Sequence, residues 1–198
     1  PFNAAQISRV SLLPEDVTAV VFWTRDPRPM LPHLSELASL GHEAFFLVTL
    51  LDNPRALDPK CPGPDVAIPA FRDLAAALLG RVAWRYDPIA LTAATPPDWH
   101  RRTFDRLTAA LAGYTDRVIV SFVEPYRKIA KRLAAAAAQG LPPLDVPDAE
   151  RLGLLLDLRD MAAAHAMTLM TCCQPADYAA AGIVASRCID GDWIAART

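Results

Sequence analysis

The chain has 198 residues, enough for a domain that buries roughly 70% of its unfolded surface and needs no disulfide staples. Hydrophobic residues at 53% and charged residues at 21%, dispersed along the sequence, exclude wholesale disorder. A net charge of −2 excludes a global field toward nucleic acid or an anionic membrane, and the longest apolar run, residues 17–23, is too short to span a bilayer.

Residues 19–24 predict a first strand, rich in β-branched and aromatic side chains. A short helix over 34–40 stops at Gly41, and residues 44–49 predict a second strand. A helix over 65–79 carries Ile68, Phe71, Leu74 and Leu78 at helical spacing, with Gly80 placed to end it. Residues 82–86 give a third strand. Thr95 stands as the cap of a helix opened by Pro96 and Pro97, with Trp99, Phe104, Leu107 and Leu111 facing inward and Gly113 following. A fourth strand covers 118–122. Residues 125–139 form an Ala-rich helix whose Arg127, Lys128, Lys131 and Arg132 read as a solvated basic face, because a nucleic-acid patch would interleave aromatics. Gly140, Pro142 and Pro143 link it to a helix over 147–166, whose Asp148 and Glu150 complement the helix dipole. Residues 168–172 give the fifth strand.

The five strand runs are apolar on both faces rather than alternating, which marks strands covered on two sides, as in parallel sheets. The order β-α-β-α-β-α-β-α-α-β therefore predicts an α/β fold of parallel βα units with right-handed crossovers. No Gly-rich loop follows any strand, so the nucleotide fingerprint of a doubly wound sheet is missing. A complete eight-unit barrel needs about 250 residues. The expectation is a single α/β domain over 1–198 forming a partial TIM-like barrel. The first residue is Pro1 rather than Met, so the chain reads as part of a longer protein.

In such folds ligands meet the carboxyl ends of the strands. Those ends read Thr24-Arg25-Asp26-Pro27, Thr49, Arg85-Tyr86-Asp87-Pro88, Ser121 with Glu124, and Thr171-Cys172-Cys173. Arg85 suits a substrate carboxylate or phosphate, with Asp87 or Glu124 as proton acceptor, so Arg25, Arg85, Asp87 and Glu124 are the catalytic candidates. Thr24, Thr49, Ser121 and Thr171 are the substrate-binding candidates. Ion pairs between strand ends are the competing reading for each charge.

The four cysteines, Cys61, Cys172, Cys173 and Cys188, do not form a disulfide framework, and with no signal peptide they point to reduced thiols in a cytoplasm. Cys172 and Cys173 are neighbours on a strand, so alternation sends them to opposite faces. No C-x-x-C or Cys/His spacing marks a zinc site. His33, His42, His100 and His165 are scattered and read as surface or helix residues.

Several stretches, in order along the chain, carry a resemblance. They are Pro1-Phe2-Asn3 with Gln6 to Leu12, Val20-Val21-Phe22-Trp23-Thr24-Arg25-Asp26-Pro27, Trp84-Arg85-Tyr86-Asp87-Pro88-Ile89, Gly113-Tyr114-Thr115-Asp116-Arg117, Val120-Ser121-Phe122-Val123, and Thr171-Cys172 with Cys188-Ile189-Asp190. With these the chain resembles a bacterial family catalogued as domain of unknown function 1848, whose members look like permuted relatives of radical S-adenosylmethionine enzymes. The resemblance implies an earlier strand before Pro1 and a cysteine cluster after Thr198 that would bind a four-iron cluster and S-adenosylmethionine. It implies that Cys172 and Cys188 ligate a second cluster in the full-length protein, and that these 198 residues alone hold no cofactor. Asp26 stands where the family has Asn, Glu124 where it has Asp, and Cys61 where it has no cysteine.

The first expectation is thus an iron–sulfur, radical-type enzyme acting on an unknown small substrate. The alternatives are a metal-independent barrel lyase or hydrolase, or a non-enzymatic domain that binds a small anion. None of the three involves a membrane.

Overall fold

The computed structural model describes residues 7–124, 127, 129–174 and 177–198. Six strands form one sheet: β1 (Val20–Thr24), β2 (Ala44–Thr49), β3 (Val82–Ile89), β4 (Arg117–Phe122), β5 (Thr168–Thr171) and β6 (Val184–Ala185). Every adjacent pair is parallel, and the spatial order is the sequence order, β1-β2-β3-β4-β5-β6. An order without reversal has no switch point, which separates the fold from a doubly wound sheet and fits a partial barrel. The helices between strands are α1 (Leu34–Ser39), α2 (Pro64–Ala77), α3 (Pro97–Leu111), α4 (Ala130–Ala138) and α5 (Asp148–Ala164), and α6 (Gly191–Ala195) follows β6.

The two-residue period of the strands divides the core. Phe46, Val48, Val82, Trp84, Tyr86, Val118, Val120 and Leu169 point to one face, where they pack with Phe71 and Leu74 of α2, Phe104, Leu107 and Leu111 of α3, and Leu154, Leu155 and Leu158 of α5. The alternate positions Phe45, Leu47, Ala83 and Ile119 point to the other, inner face, where no crossover helix packs among the described residues. There Trp193 and Ile194 of α6 cover them. Trp84 and Phe104 stack at 4.9 Å, and the Trp84 indole N–H donates to the Leu50 carbonyl at 2.9 Å.

Four differences from the sequence expectations have local causes. β6 is two residues long and both are exposed, so it carries no apolar run. Asp190 caps α6 by accepting from the Trp193 N–H at 3.0 Å. Thr95 does not cap α3: its hydroxyl donates to the Ala90 carbonyl at 2.6 Å and bonds Thr92, and Pro96 holds the cap position. The expected first turn of the helix over 125–139 lies largely outside the described residues, and α4 starts at Ala130.

His100 lies on α3 but is fully buried rather than at the surface. Its Nε2 faces the Ala90 carbonyl at 3.2 Å, an acceptor only, so Nε2 carries the proton and Nδ1 accepts from the Tyr86 hydroxyl at 2.8 Å. Burial lowers the imidazole pKa to about 4, against a small opposing effect of the Ala90 carbonyl. The ring stays neutral in the fold but takes a proton on unfolding below its ordinary pKa near 6.5. Its contribution is complete above that pH and is lost as the pH falls toward 4, a loss of about 3 kcal/mol. Urea midpoints measured from pH 7 to 4 are expected to fall more steeply for the wild type than for His100→Gln. Parallel curves would remove His100 as the cause.

Candidate active site

β3, with eight residues, is the longest strand, and its last residue pairs with the last of β4. Its inner-face positions run Ala83, Arg85, Asp87, continuing the alternation that sends Trp84 and Tyr86 into the helix layer. Thr49 of β2 lies in register with Arg85, on the same face. On β4 the inner positions are Ile119 and Ser121. The pairing of Val120 with Thr171 sets Ser121 beside Cys172 one residue on. A row Asp87, Ser121, Cys172 therefore crosses the ends of three central strands.

The side chains of this row are joined. Arg85 Nη2 donates to one Asp87 carboxylate oxygen and the Ser121 hydroxyl donates to the other. Both charged side chains are mostly shielded, 21% exposed for Arg85 and 12% for Asp87. Arg85 Nε is buried with no hydrogen-bond partner among the described residues. An arginine fixed beside a carboxylate and still partly exposed can take an anionic or carbonyl oxygen in planar geometry.

Three thiols border the row. The sulfurs of Cys172, Cys173 and Cys188 all lie within 4.8 Å of one another, and those of Cys172 and Cys173 are 3.5 Å apart. This overturns the expectation that adjacent cysteines diverge. β5 ends at Thr171, although Cys172 N–H still donates to the Val120 carbonyl at 3.0 Å. Cys173 then takes a left-handed backbone, φ 52°, which turns its side chain back beside that of Cys172. Cys188 arrives from the segment after β6, whose entry is held by Ser186 N–H on the Thr171 carbonyl at 2.6 Å. Burial first, then Cys173, with Cys188 and Asp87 adding to it, push the Cys172 thiol up to about 12.

The other candidates stand apart from this row. Arg25 donates to Asp58 at 2.6 Å and to the Cys61 sulfur at 2.9 Å, in the loop after β2. Glu124 faces Arg151 of α5 at 3.5 Å. The Thr24 hydroxyl closes a local turn, accepting from Asp26 N–H at 3.0 Å and donating to its carbonyl at 2.8 Å. Thr171 is buried and shares the helix-facing side with Leu169. Arg85, Asp87, Ser121, Thr49 and Cys172 thus share one end of the inner face, and Thr24, Thr171, Arg25 and Glu124 point to other neighbours.

The opposite end is closed. Trp193 packs edge-on against Phe45 at 5.1 Å, and Arg117, at the start of β4, lies over its ring at 4.5 Å while bonding Asp190 at 2.9 Å. Although burial opposes it, the Trp193 N–H and Arg117 hold the Asp190 carboxyl below its ordinary pKa. Between this plug and the strand ends runs a cleft lined by Leu47, Ala83, Ile119, Met170, Ser186 and Cys188.

The whole of this sequence, residues 1–198, matches the family model described as Domain of unknown function (DUF1848). The chain belongs to that family. No curated protein matches it. For this DUF1848 chain the residues that sequence reasoning did not find are Cys173, His100, Trp193 and the partners Asp58 and Arg151. Only α6 left a usable signal, an Asp190 cap followed by Asp192 and the apolar pair Trp193-Ile194.

Removing one member of a shielded ion pair strands the other charge, whereas removing both does not. Asp87→Leu is expected to cost about 3 kcal/mol, and Arg85→Met with Asp87→Leu less than that single change. A double-mutant cycle in urea checks this; additive losses would show that the pair is not coupled.

Proposed function

We propose that the chain forms the substrate-facing half-barrel of an iron–sulfur enzyme of the radical S-adenosylmethionine type, acting on a small anionic substrate. The observation that supports it most is the row of Arg85, Asp87 and Ser121 beside three thiols, at the open end of an inner face that α6 closes from the other side. Arg85 binds a substrate carboxylate or phosphate through the exposed part of its guanidinium, Ser121 and Thr49 orient it, and Asp87 holds Arg85 and accepts a proton. Arg25 and Glu124 stand further round the rim, each with its own partner, as positioning charges.

The donor chemistry of Cys172, Cys173 and Cys188 fits a thiophilic centre, since iron–sulfur clusters take thiolates. Their spacing is tight for a cluster that gives each thiolate its own iron. In this reading the cluster that meets S-adenosylmethionine is held by cysteines beyond Thr198. When bound, it supplies one-electron chemistry that no side chain here provides.

A second reading draws on the bonds of Asp87 to Arg85 and Ser121, which need no metal: a barrel lyase or hydrolase with Asp87 as base. One experiment separates the two. The natural full-length protein, purified without oxygen, is expected to contain iron and sulfide, absorb broadly in the visible, and cleave S-adenosylmethionine when reduced. Turnover by an iron-free preparation, abolished in Asp87→Asn, would establish the second reading; a colourless protein after anaerobic reconstitution would end the first.

A further inference from the structure

We infer that Cys172, Cys173 and Cys188 form a site for a single thiophilic divalent ion, of the zinc or ferrous class, complete within these 198 residues and separate from any S-adenosylmethionine cluster. A metal–sulfur bond of about 2.3 Å in tetrahedral geometry puts ligand sulfurs about 3.8 Å apart. The Cys172 and Cys173 sulfurs at 3.5 Å, with Cys188 inside 4.8 Å of both, lie close to that spacing before any ion is considered. A cluster that places each thiolate on its own iron would need the three to spread apart.

The backbone gives an independent reason. A non-glycine residue in the left-handed region is disfavoured, and such conformations collect at functional sites. Cys173 adopts it at φ 52°, and the consequence is that two sulfurs an alternating strand would separate come together. The rest of the site is fixed by pairing: Cys172 N–H on Val120, and Ser186 N–H on Thr171 two residues before Cys188. The three ligands therefore come from the end of β5 and from the segment after β6, tied by main-chain bonds.

The donor set selects the ion. Three sulfurs with no carboxylate or imidazole among them favour zinc, ferrous iron or a similar soft ion over magnesium or calcium. Three protein ligands leave one tetrahedral position open, the arrangement that catalytic rather than structural zinc sites use. Cys172 adjoins Ser121 and Asp87 in the strand-end row, so an exogenous ligand in that position would lie near them.

The test uses the chain reduced and metal-free under anaerobic conditions, titrated with Co²⁺. One equivalent is expected to saturate it, with sulfur-to-cobalt absorption in the near ultraviolet and tetrahedral bands in the visible, both removed by Zn²⁺. Outer-shell changes at metal sites already cost about 10- to 100-fold in affinity, so loss of a ligand in Cys173→Gly is expected to cost about 100-fold or more. Glycine accepts the left-handed backbone, so the urea midpoint of that metal-free variant should equal or exceed the wild type. Absence of the cobalt bands, bands unchanged in Cys173→Gly, or a Cys172–Cys173 disulfide that persists under reductant would overturn the assignment. The readout is independent of S-adenosylmethionine cleavage, so either proposal can fail alone.

Discussion

The structure rests on the two-residue period of β3 and β4 and on the register between them. Trp84, Tyr86, Val118 and Val120 go to the helix layer, where Phe104 stacks on Trp84 and His100 accepts from Tyr86. The intervening Ala83, Arg85, Asp87, Ile119 and Ser121 go to the inner face. A slip of one residue would bury the Arg85 and Asp87 charges among apolar side chains and carry Trp84 into the cleft. The apolar packing on one face therefore holds the polar constellation on the other.

The inner face is finished by the segment after β6. The same segment supplies Cys188 to the thiol group and, a few residues later, Trp193 and Ile194 to the apolar floor. Arg117 and Asp190 tie that floor to the start of β4, with Arg197 reaching Asp116 alongside. A single stretch of about ten residues thus closes one end of the half-barrel and completes the metal-ligand set at the other. The two roles are physically linked, because the position of Cys188 depends on how α6 seats against Phe45 and Ala83.

The fold class was legible because burial on both faces leaves a clear mark: five apolar runs separated by helical patterns permit little except parallel βα units. β6 left no such mark, since Val184 and Ala185 are exposed and pair by backbone alone. At the site, alternation correctly set Arg85 with Asp87, because the register with β4 is regular through Tyr86 and shifts only between Tyr86 and Ile89. It failed for Cys173, where the strand has ended and a left-handed residue reverses the expected direction, a backbone state that Cys gives no hint of in sequence. Arg25 and Glu124 were drawn toward the same mouth by their position at strand ends. Their partners, Asp58 and Arg151, come from a loop and a helix whose approach no local pattern specifies. His100 was unreadable for a similar reason, since its burial depends on the turn at Ala90 held by Thr95.

The charged row and the three thiols share one end of a single face of the parallel sheet. A crystal structure of the natural protein, grown without oxygen, tests this arrangement most directly. Electron density is expected to join Arg85, Asp87 and Ser121 beside Cys172, Cys173 and Cys188 on the face opposite α2, α3 and α5. Density that places the thiols on the helix-covered side, or at a different edge of the sheet from Asp87, would contradict it.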